Sequence, residues 1–226
     1  MALGARPCPG KDGGGWRPGI LTTVALLGVM ITASQVAAAA PEPAPTSLGQ
    51  QALATCDTID DQPTAAARPT LEKGLAQAEQ AVAANDRDPK AHLAVFCNLA
   101  KLTYLDGFSV RSLFAVWRLR QEVDKALELS PDYADALIAK GGLLLNLPRV
   151  LGGDPQEAER VLRRAVELEP ERVLPRLHLA EALSAIGARE QAEAQARYAL
   201  ALAERKGRAD QVVLAQTLIA RLEKGE

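Results

Sequence analysis

The chain has 226 residues, of which 48% are hydrophobic and 4% aromatic, and its formal net charge is −2. This length and apolar content supply one ordinary core or a short stack of helical hairpins, and they exclude a chain that is disordered throughout. Because no strong positive charge is present to meet phosphates, we expect no nucleic-acid partner.

The first 39 residues have the pattern of a targeting segment. Arg6, Lys11 and Arg17 precede the apolar stretch 20–33, and the small residues 36–40 follow it. This order predicts a signal peptide cleaved after Ala39, and hence an exported, periplasmic protein. The alternative is an uncleaved anchor, which would hold the protein in the inner membrane through residues 20–40. We expect the protein to contact the membrane only if this anchor is retained.

A tether rich in proline and alanine follows over residues 40–69, with at most one short helix near Leu48 to Ala54. After signal removal the remaining cysteines are Cys56 and Cys97. Disulfides persist outside the cytoplasm, so the two cysteines either form a bridge or are two unrelated thiols.

From residue 70 onward, capping signals follow one another and predict a helical domain over residues 70–226. Thr70 is a helix-capping residue type, and Asp88 and Asp154 each precede a proline, as Ser130 does. Glu157 can complete a capping box by reaching back to the backbone of Asp154. The predicted helices are Thr70–Ala84, Pro89–Leu105, Val110–Ser130, Pro131–Leu147, Pro155–Glu169, Leu174–Ile186, Arg189–Arg205 and Arg208–Glu223.

One spacing occurs three times along these helices. A small or apolar residue comes first, and a second one follows four positions after it. Alanine follows three positions after the second residue, and a position that ends the helix follows five positions after the alanine. These positions share one helix face, where small side chains let a second helix approach closely. The three copies are Leu119, Val123, Ala126, Pro131; Ala158, Leu162, Ala165, Pro170; and Ala192, Ala196, Ala199, Glu204.

The last copy resembles the tetratricopeptide repeat (TPR) family in residue type and order, at Leu179-Ala180, Leu183, Gly187, Ala192, Ala196 and Ala199. Ala165 and Ala199 are also 34 positions apart, the period of this repeat. The resemblance implies an all-α, right-handed superhelix of about three helical hairpins, closed by a C-terminal capping helix. It implies binding to another protein, because the fold itself supplies no catalytic groups.

The string from Leu145 to Asp154 is similar to one in exported TPR proteins that accompany tripartite ATP-independent periplasmic (TRAP) transporters, the T-component type. This second resemblance implies an alternative function, an accessory ligand-binding component of a TRAP-type transport system. A periplasmic substrate-binding protein would then be the partner, instead of an envelope protein.

We find no signature of catalysis, of a metal site or of a cofactor. The two histidines, His92 and His178, have no ligand at a spacing that would complete a metal site, so we expect both to be structural. No nucleophile elbow, phosphate-binding loop or zinc-protease motif occurs. The sequence therefore predicts a scaffold and not an enzyme.

In the TPR family the opening helices of the hairpins line an inner groove. By register, the groove here is largely apolar and has one basic residue, Lys101, which excludes the clamp of basic side chains that binds peptide carboxylates. Groove or pocket candidates are Lys101, Tyr104, Phe114, Trp117, Ile138, Leu145, Leu177 and Glu181.

Two insertions, Leu105–Ser112 and Asn146–Gly152, interrupt the repeat pattern. The first is expected to lengthen the helix that follows it by about two turns, because apolar residues continue at helical spacing. Phe114 and Trp117 then either pack in the core or line a pocket with Tyr104. In the pocket hypothesis the two insertions meet, with Phe108 in the first, and enclose a small apolar ligand at one end of the groove.

Overall fold

The computed structural model describes residues 47–59, 63–107 and 110–225; the predicted signal peptide or anchor lies outside the described residues. Within these ranges the chain forms nine α-helices and no strand. They are α1 (Leu48–Asp57), α2 (Arg68–Ala84), α3 (Pro89–Asp106), α4 (Val110–Leu129), α5 (Ala134–Asn146), α6 (Pro155–Leu168), α7 (Val173–Ala185), α8 (Arg189–Arg205) and α9 (Ala209–Lys224).

Each helix packs against the next along the chain, so that α3–α4, α5–α6 and α7–α8 are hairpins and α9 closes the stack on α8 and α7. The opening helices also touch one another, α1 with α3, α5 with α7 and α7 with α9. This sequential pairing is the arrangement expected of a helical repeat, and it confirms the predicted all-α fold.

The repeated residues lie where the helices meet. Val123, Leu162 and Ala196 are fully buried, and so are the alanines three positions later in each copy, at 126, 165 and 199. Gly141 of α5 faces Leu162, and a Cβ on this glycine would collide with the leucine side chain. The repeated spacing therefore marks the close-packed seam of each hairpin.

The helix starts differ from three of the predicted caps. At α6, Asp154 accepts hydrogen bonds from Gln156 and Glu157, as predicted, but Glu157 turns away from the cap and pairs with Arg160 at 2.7 Å. The Asp154 N–H that Glu157 was to bind donates to the carbonyl of Leu144 at 3.2 Å, which leaves no donor for a capping box.

The other two differences concern where helices begin. Ser130 starts a turn, and α5 begins only at Ala134 after Tyr133. Helix α2 begins at Arg68, before the predicted cap Thr70, with a proline in its first turn. A proline near the start of a helix costs no intrahelical hydrogen bond, which explains the earlier start.

Part of the predicted tether belongs to the helical domain. Residues 48–57 form α1, which packs on both α2 and α3 and buries Gly49, Ala52 and Cys56. Helices α1 and α2 thus add a further helical pair before the three predicted hairpins. The local signal for this pair is weak because α1 is short and its buried side chains are small.

Both insertions take defined forms in the described residues. Helix α4 has 20 residues, against 14 in α6 and 17 in α8, so the closing helix of the first hairpin is the longest of the three, although by less than the two turns predicted. The second insertion is a 3₁₀ turn, Arg149–Leu151, that ends at Gly152 with φ 88°. Phe108 of the first insertion lies outside the described residues.

Candidate interaction surface

Lys101 does not face an open groove. Its Nζ donates hydrogen bonds to the carbonyl oxygens of Cys56 at 3.1 Å and Ile59 at 2.6 Å, at the C-terminal end of α1. Carbonyls at the end of a helix lack intrahelical donors and carry partial negative charge, so a lysine there stabilises the helix end. The predicted groove cation is therefore a cap for α1.

The apolar groove candidates pack between helices. Ile138 is 7% exposed and Leu177 is 5% exposed, and both belong to the core that α5, α6, α7, α8 and α9 share. Leu145 is half-buried against the same core. The prediction of an open apolar groove is wrong at Ile138 and Leu177, because α5 and α7 approach closely enough to bury them.

Glu181 joins α7 to the last helix. Its carboxylate lies 3.1 Å from Nδ1 of His178 and 3.0 Å from the guanidinium of Arg221 on α9. Burial alone would raise the pKa of Glu181, but the hydrogen bonds and charges of His178 and Arg221 outweigh burial and hold this pKa below its ordinary value. Glu181 therefore closes the stack, and its carboxylate is committed to partners within the protein.

The aromatic candidates stand on the open surface. Phe114 is 74% exposed and Trp117 is 65% exposed, and Leu113 beside them is 39% exposed. The opposite side of α4 carries the buried residues Leu119, Val123 and Ala126. These exposures exclude core packing for Phe114 and Trp117, the first of the two predicted roles.

Tyr104 lies near the end of α3 and is 58% exposed. Because α3 and α4 run antiparallel, the end of α3 and the start of α4 lie at the same tip of the hairpin. The tip therefore presents large apolar side chains to solvent. We call Leu113, Phe114 and Trp117 the apolar face of α4.

A cavity of about 250 Å³ opens between α4, α5 and the second insertion. Its walls are mostly charged, and the charges are paired: Lys140 lies 2.9 Å from Asp124 and 3.8 Å from Glu157, and Arg120 donates to the carbonyl of Gly152. Hydrogen bonds from Arg160 lower the pKa of Glu157.

Tyr104, Phe114 and Trp117 do not line this cavity. Val150 of the second insertion is 92% exposed and covers no apolar space. The pocket predicted from the two insertions includes Phe108, which lies outside the described residues, so this pocket stays a prediction.

His92 is a structural residue that ties three parts of the first hairpins together. Its Nε2 lies 2.9 Å from the carbonyl oxygen of Asp86, and its Nδ1 lies 2.7 Å from the carboxylate of Glu122 on α4. A carbonyl can only accept, so Nε2 carries a hydrogen. Both ring nitrogens are thereby committed within the protein.

Sequence reasoning overlooked Asn98, which is fully buried between α1, α2 and α3. Its amide donates to the carbonyls of Ala94 at 2.8 Å and Ala52 at 3.5 Å, and its Oδ1 lies against Gly74. The sequence did contain a signal for this buried side chain. It is an asparagine inside an apolar helical run, together with a glycine on the preceding helix.

Among the described residues, no cluster of three or more His, Cys, Asp or Glu side chains is placed to hold a metal ion. No helix within the same ranges is both long and apolar enough to span a bilayer.

No protein-family model matches the sequence. No curated protein matches it either. Solved structures do: the crystal structure of TTC0263, a thermophilic TPR protein of Thermus thermophilus, has a TM-score of 0.59 and 20% sequence identity, with 76% of this chain and 80% of that chain covered. A double mutant of MamA, described as RS-1 ArsTM, has a TM-score of 0.50 and 18% identity, with 79% and 96% covered.

At these identities the likeness is one of fold. The chain has a TPR-like fold, an all-α superhelix of stacked helical hairpins, with an extra helical pair before the three predicted hairpins and a capping helix after them. The apolar face of α4 is one feature of the described surface that the packing of this fold does not require.

Proposed function

We propose that this protein is a scaffold that binds another protein through the apolar face of α4, and that it catalyses no reaction. The observation that carries the proposal is the exposure of Phe114 and Trp117 on one face of an extended helix. Exposed aromatic side chains at one place on a surface are characteristic of binding sites, where a few such residues supply most of the affinity.

Two described arginines near this face already have partners within the chain. Arg118 lies 2.7 Å from Glu79 and 3.6 Å from Glu122, and Arg120 is bound to the second insertion. The exposed apolar side chains are therefore the part of this face from which we infer the partner. A partner with a shallow apolar depression, able to accept one tryptophan and one phenylalanine, fits this surface best.

Binding can be tested with two matched double variants. Phe114→Ala/Trp117→Ala removes the two exposed aromatic residues, and Val213→Ala/Leu214→Ala removes two exposed apolar residues of α9, which are 61% and 51% exposed. A photo-crosslinking residue at Gln121, one turn from Trp117, captures the partner in cells. We expect the first variant to reduce crosslinking at least about tenfold and the second to leave it unchanged. Equal crosslinking in all three proteins would contradict the proposal.

We propose further that the protein is exported to the periplasm. The pattern of residues 1–39 supports this location, and so does the pairing of Cys56 with Cys97, which needs an oxidising compartment. The mature protein is then expected to begin at Ala40, which N-terminal sequencing of the periplasmic fraction would show. A membrane-bound protein that retains residues 20–40 would support the anchored alternative.

The second candidate function is an accessory component of a TRAP-type transport system, supported by the sequence likeness of residues 145–154. In the structure this string borders the cavity between α4 and α5. The paired charges in that cavity suit a small polar ligand better than an apolar one. Copurification with a TRAP substrate-binding protein would favour this candidate over an envelope partner.

A further inference from the structure

Helix α1 packs on α2 and α3 mainly through small side chains. It is the shortest of the described α-helices, with 10 residues, and its fully buried side chains are those of Ala52 and Cys56. Leu53 is partly buried and Leu48 is 55% exposed. A helix of this length is not stable alone in water, so α1 depends on what fastens it to its neighbours.

Three polar attachments of α1 come from α3. Asn98 reaches the carbonyl of Ala52 in the middle of α1, and Lys101 binds two carbonyls at its end. At the start of α1, the side chain of Gln50 accepts a hydrogen bond from Lys90 at 3.3 Å. Two of these three attachments are made by lysine side chains, which water can solvate equally well if α1 leaves.

The covalent attachment is the disulfide between Cys56 and Cys97, whose Cα atoms are 6.1 Å apart. It joins the last turn of α1 to the middle of α3. Without this bond, non-covalent contacts made largely by small side chains would have to offset the entropy of ordering the ten residues of α1.

Beneath α1 lies an apolar surface made by α2 and α3. Its residues are Ala78, Ala91, Ala94 and Val95, each at most 1% exposed. We call these four residues the α1-covered face. Release of α1 would expose them to water, and Asn98 would keep its 2.8 Å bond to the carbonyl of Ala94 within α3.

We propose that the Cys56–Cys97 disulfide is a redox latch: reduction releases α1 as a unit and uncovers the α1-covered face, while α2 to α9 stay folded. Helices α2 and α3 pack extensively on each other, and the core of α5 to α9 has no contribution from α1. Opening is therefore local and does not propagate along the array.

The chemistry is a thiol–disulfide exchange with a dithiol reductant. Cys56 is fully buried whereas Cys97 is half-buried, so the reductant thiolate attacks the sulfur of Cys97. Cys56 leaves as a thiolate and takes up a proton. The second thiol of the reductant then closes on its own mixed disulfide and frees Cys97, so two electrons reduce the protein bond and the dithiol becomes a disulfide.

Hydrogen exchange read by mass spectrometry tests the latch directly. The full chain is used, with Cys8→Ser to remove the third thiol, before and after reduction with dithiothreitol. We expect amide exchange in residues 48–57 to accelerate on the order of 100-fold on reduction, while exchange in α5 to α8 stays the same. The double variant Cys56→Ser/Cys97→Ser should behave like the reduced chain without any reductant.

Lys101→Met in the oxidised chain is the control that separates the covalent from the polar attachment. It removes the cap of α1 but keeps the disulfide, so residues 48–57 should remain protected to within about tenfold of the parent. Unchanged protection of α1 on reduction would overturn the proposal. Loss of protection throughout α5 to α8 would overturn it as well, because the disulfide would then hold the whole domain and not one helix.

Discussion

The helices from α5 to α9 and those from α1 to α4 are built by different means. A single core runs through the first group, from Leu137 to Leu222, and alanines at repeated positions let each helix approach the next. The second group has two smaller cores, a disulfide and a buried His92–Glu122 pair. Between the groups, α4 and α5 make the sparsest contact of any two consecutive helices from α1 to α9, and the charged cavity lies beside it.

This difference separates the helices that stabilise the fold from the helix that we propose binds a partner. Where the repeat is regular, the repeated small residues are buried against a neighbouring helix, and the exposed apolar residues include Val213 and Leu214 of α9. Where it is irregular, α4 extends by additional turns that no other described helix covers, and its aromatic residues stay exposed. Departures from a repeat thus mark the places where function can be added without loss of the core.

The largest effect on the free energy of unfolding is expected when a core leucine is truncated to alanine in each group. Leu162→Ala and Leu71→Ala both truncate leucines that are fully buried, so each should lower the free energy of unfolding by about 3 kcal/mol. Because one core spans α5 to α9, Leu162→Ala should accelerate hydrogen exchange across those five helices together. Leu71→Ala should affect α2 and its neighbours alone. Exchange patterns that did not differ would remove the distinction between the groups.

The next effect concerns the two histidine–glutamate pairs, one in each group. His92 and Glu122 have 7% and 15% of their side chains exposed, whereas His178 and Glu181 have 26% and 37%. His92→Leu should cost about 2 kcal/mol of unfolding free energy, because it leaves a mostly buried carboxylate with a weaker set of partners. His178→Leu, the matched control, should cost less than about 0.5 kcal/mol. Urea unfolding measures both, and equal costs would contradict the assigned burial.

A smaller change in the free energy of unfolding is expected when the pH is lowered. The pKa of Glu181 is lowered in the folded protein from an ordinary value of 4.5. Its ion pairs therefore stabilise the fold above that value, and this contribution is lost as pH falls through the folded pKa. Glu181→Gln should be slightly less stable than the parent at pH 7, by at most about 0.5 kcal/mol since the carboxylate is partly exposed and screened. The two proteins should converge as the pH falls through the folded pKa of Glu181, and a gap in stability that widened on acidification would contradict the lowered pKa.

We expect the smallest effect on stability from substitutions in the apolar face of α4. These substitutions distinguish surface residues from core residues. Trp117→Ala and Phe114→Ala should each change the free energy of unfolding by less than about 0.5 kcal/mol, since neither side chain is buried. Circular dichroism during thermal unfolding would measure this. A cost of about 2 kcal/mol or more would place these residues in a core.

Much of the fold could be predicted because its signals are local. The helix from Arg189 to Arg205 was predicted to the residue, and α3, α4 and α6 to within one residue at each end. Proline, an aspartate cap and a run of apolar residues act within one helical turn. Where such a signal was weak, as for α1, the prediction stopped short.

The candidate site was predicted less well, because burial depends on which helices approach. Ile138 and Leu177 have the register of groove residues, and only the close approach of α5 and α7 buries them. Trp117 and Phe114 look like core residues in the sequence, and they are exposed because no described helix packs on that side of α4.

The sequence by itself determined the helices, their order and the seam of alanines that joins them, since spacing along a helix fixes which residues share a face. The tertiary structure alone decided that Lys101 caps α1, that Cys56 meets Cys97 and that the face of α4 remains open. These features join or separate residues that are distant along the chain. They follow from how whole helices pack, which no local pattern of side chains records.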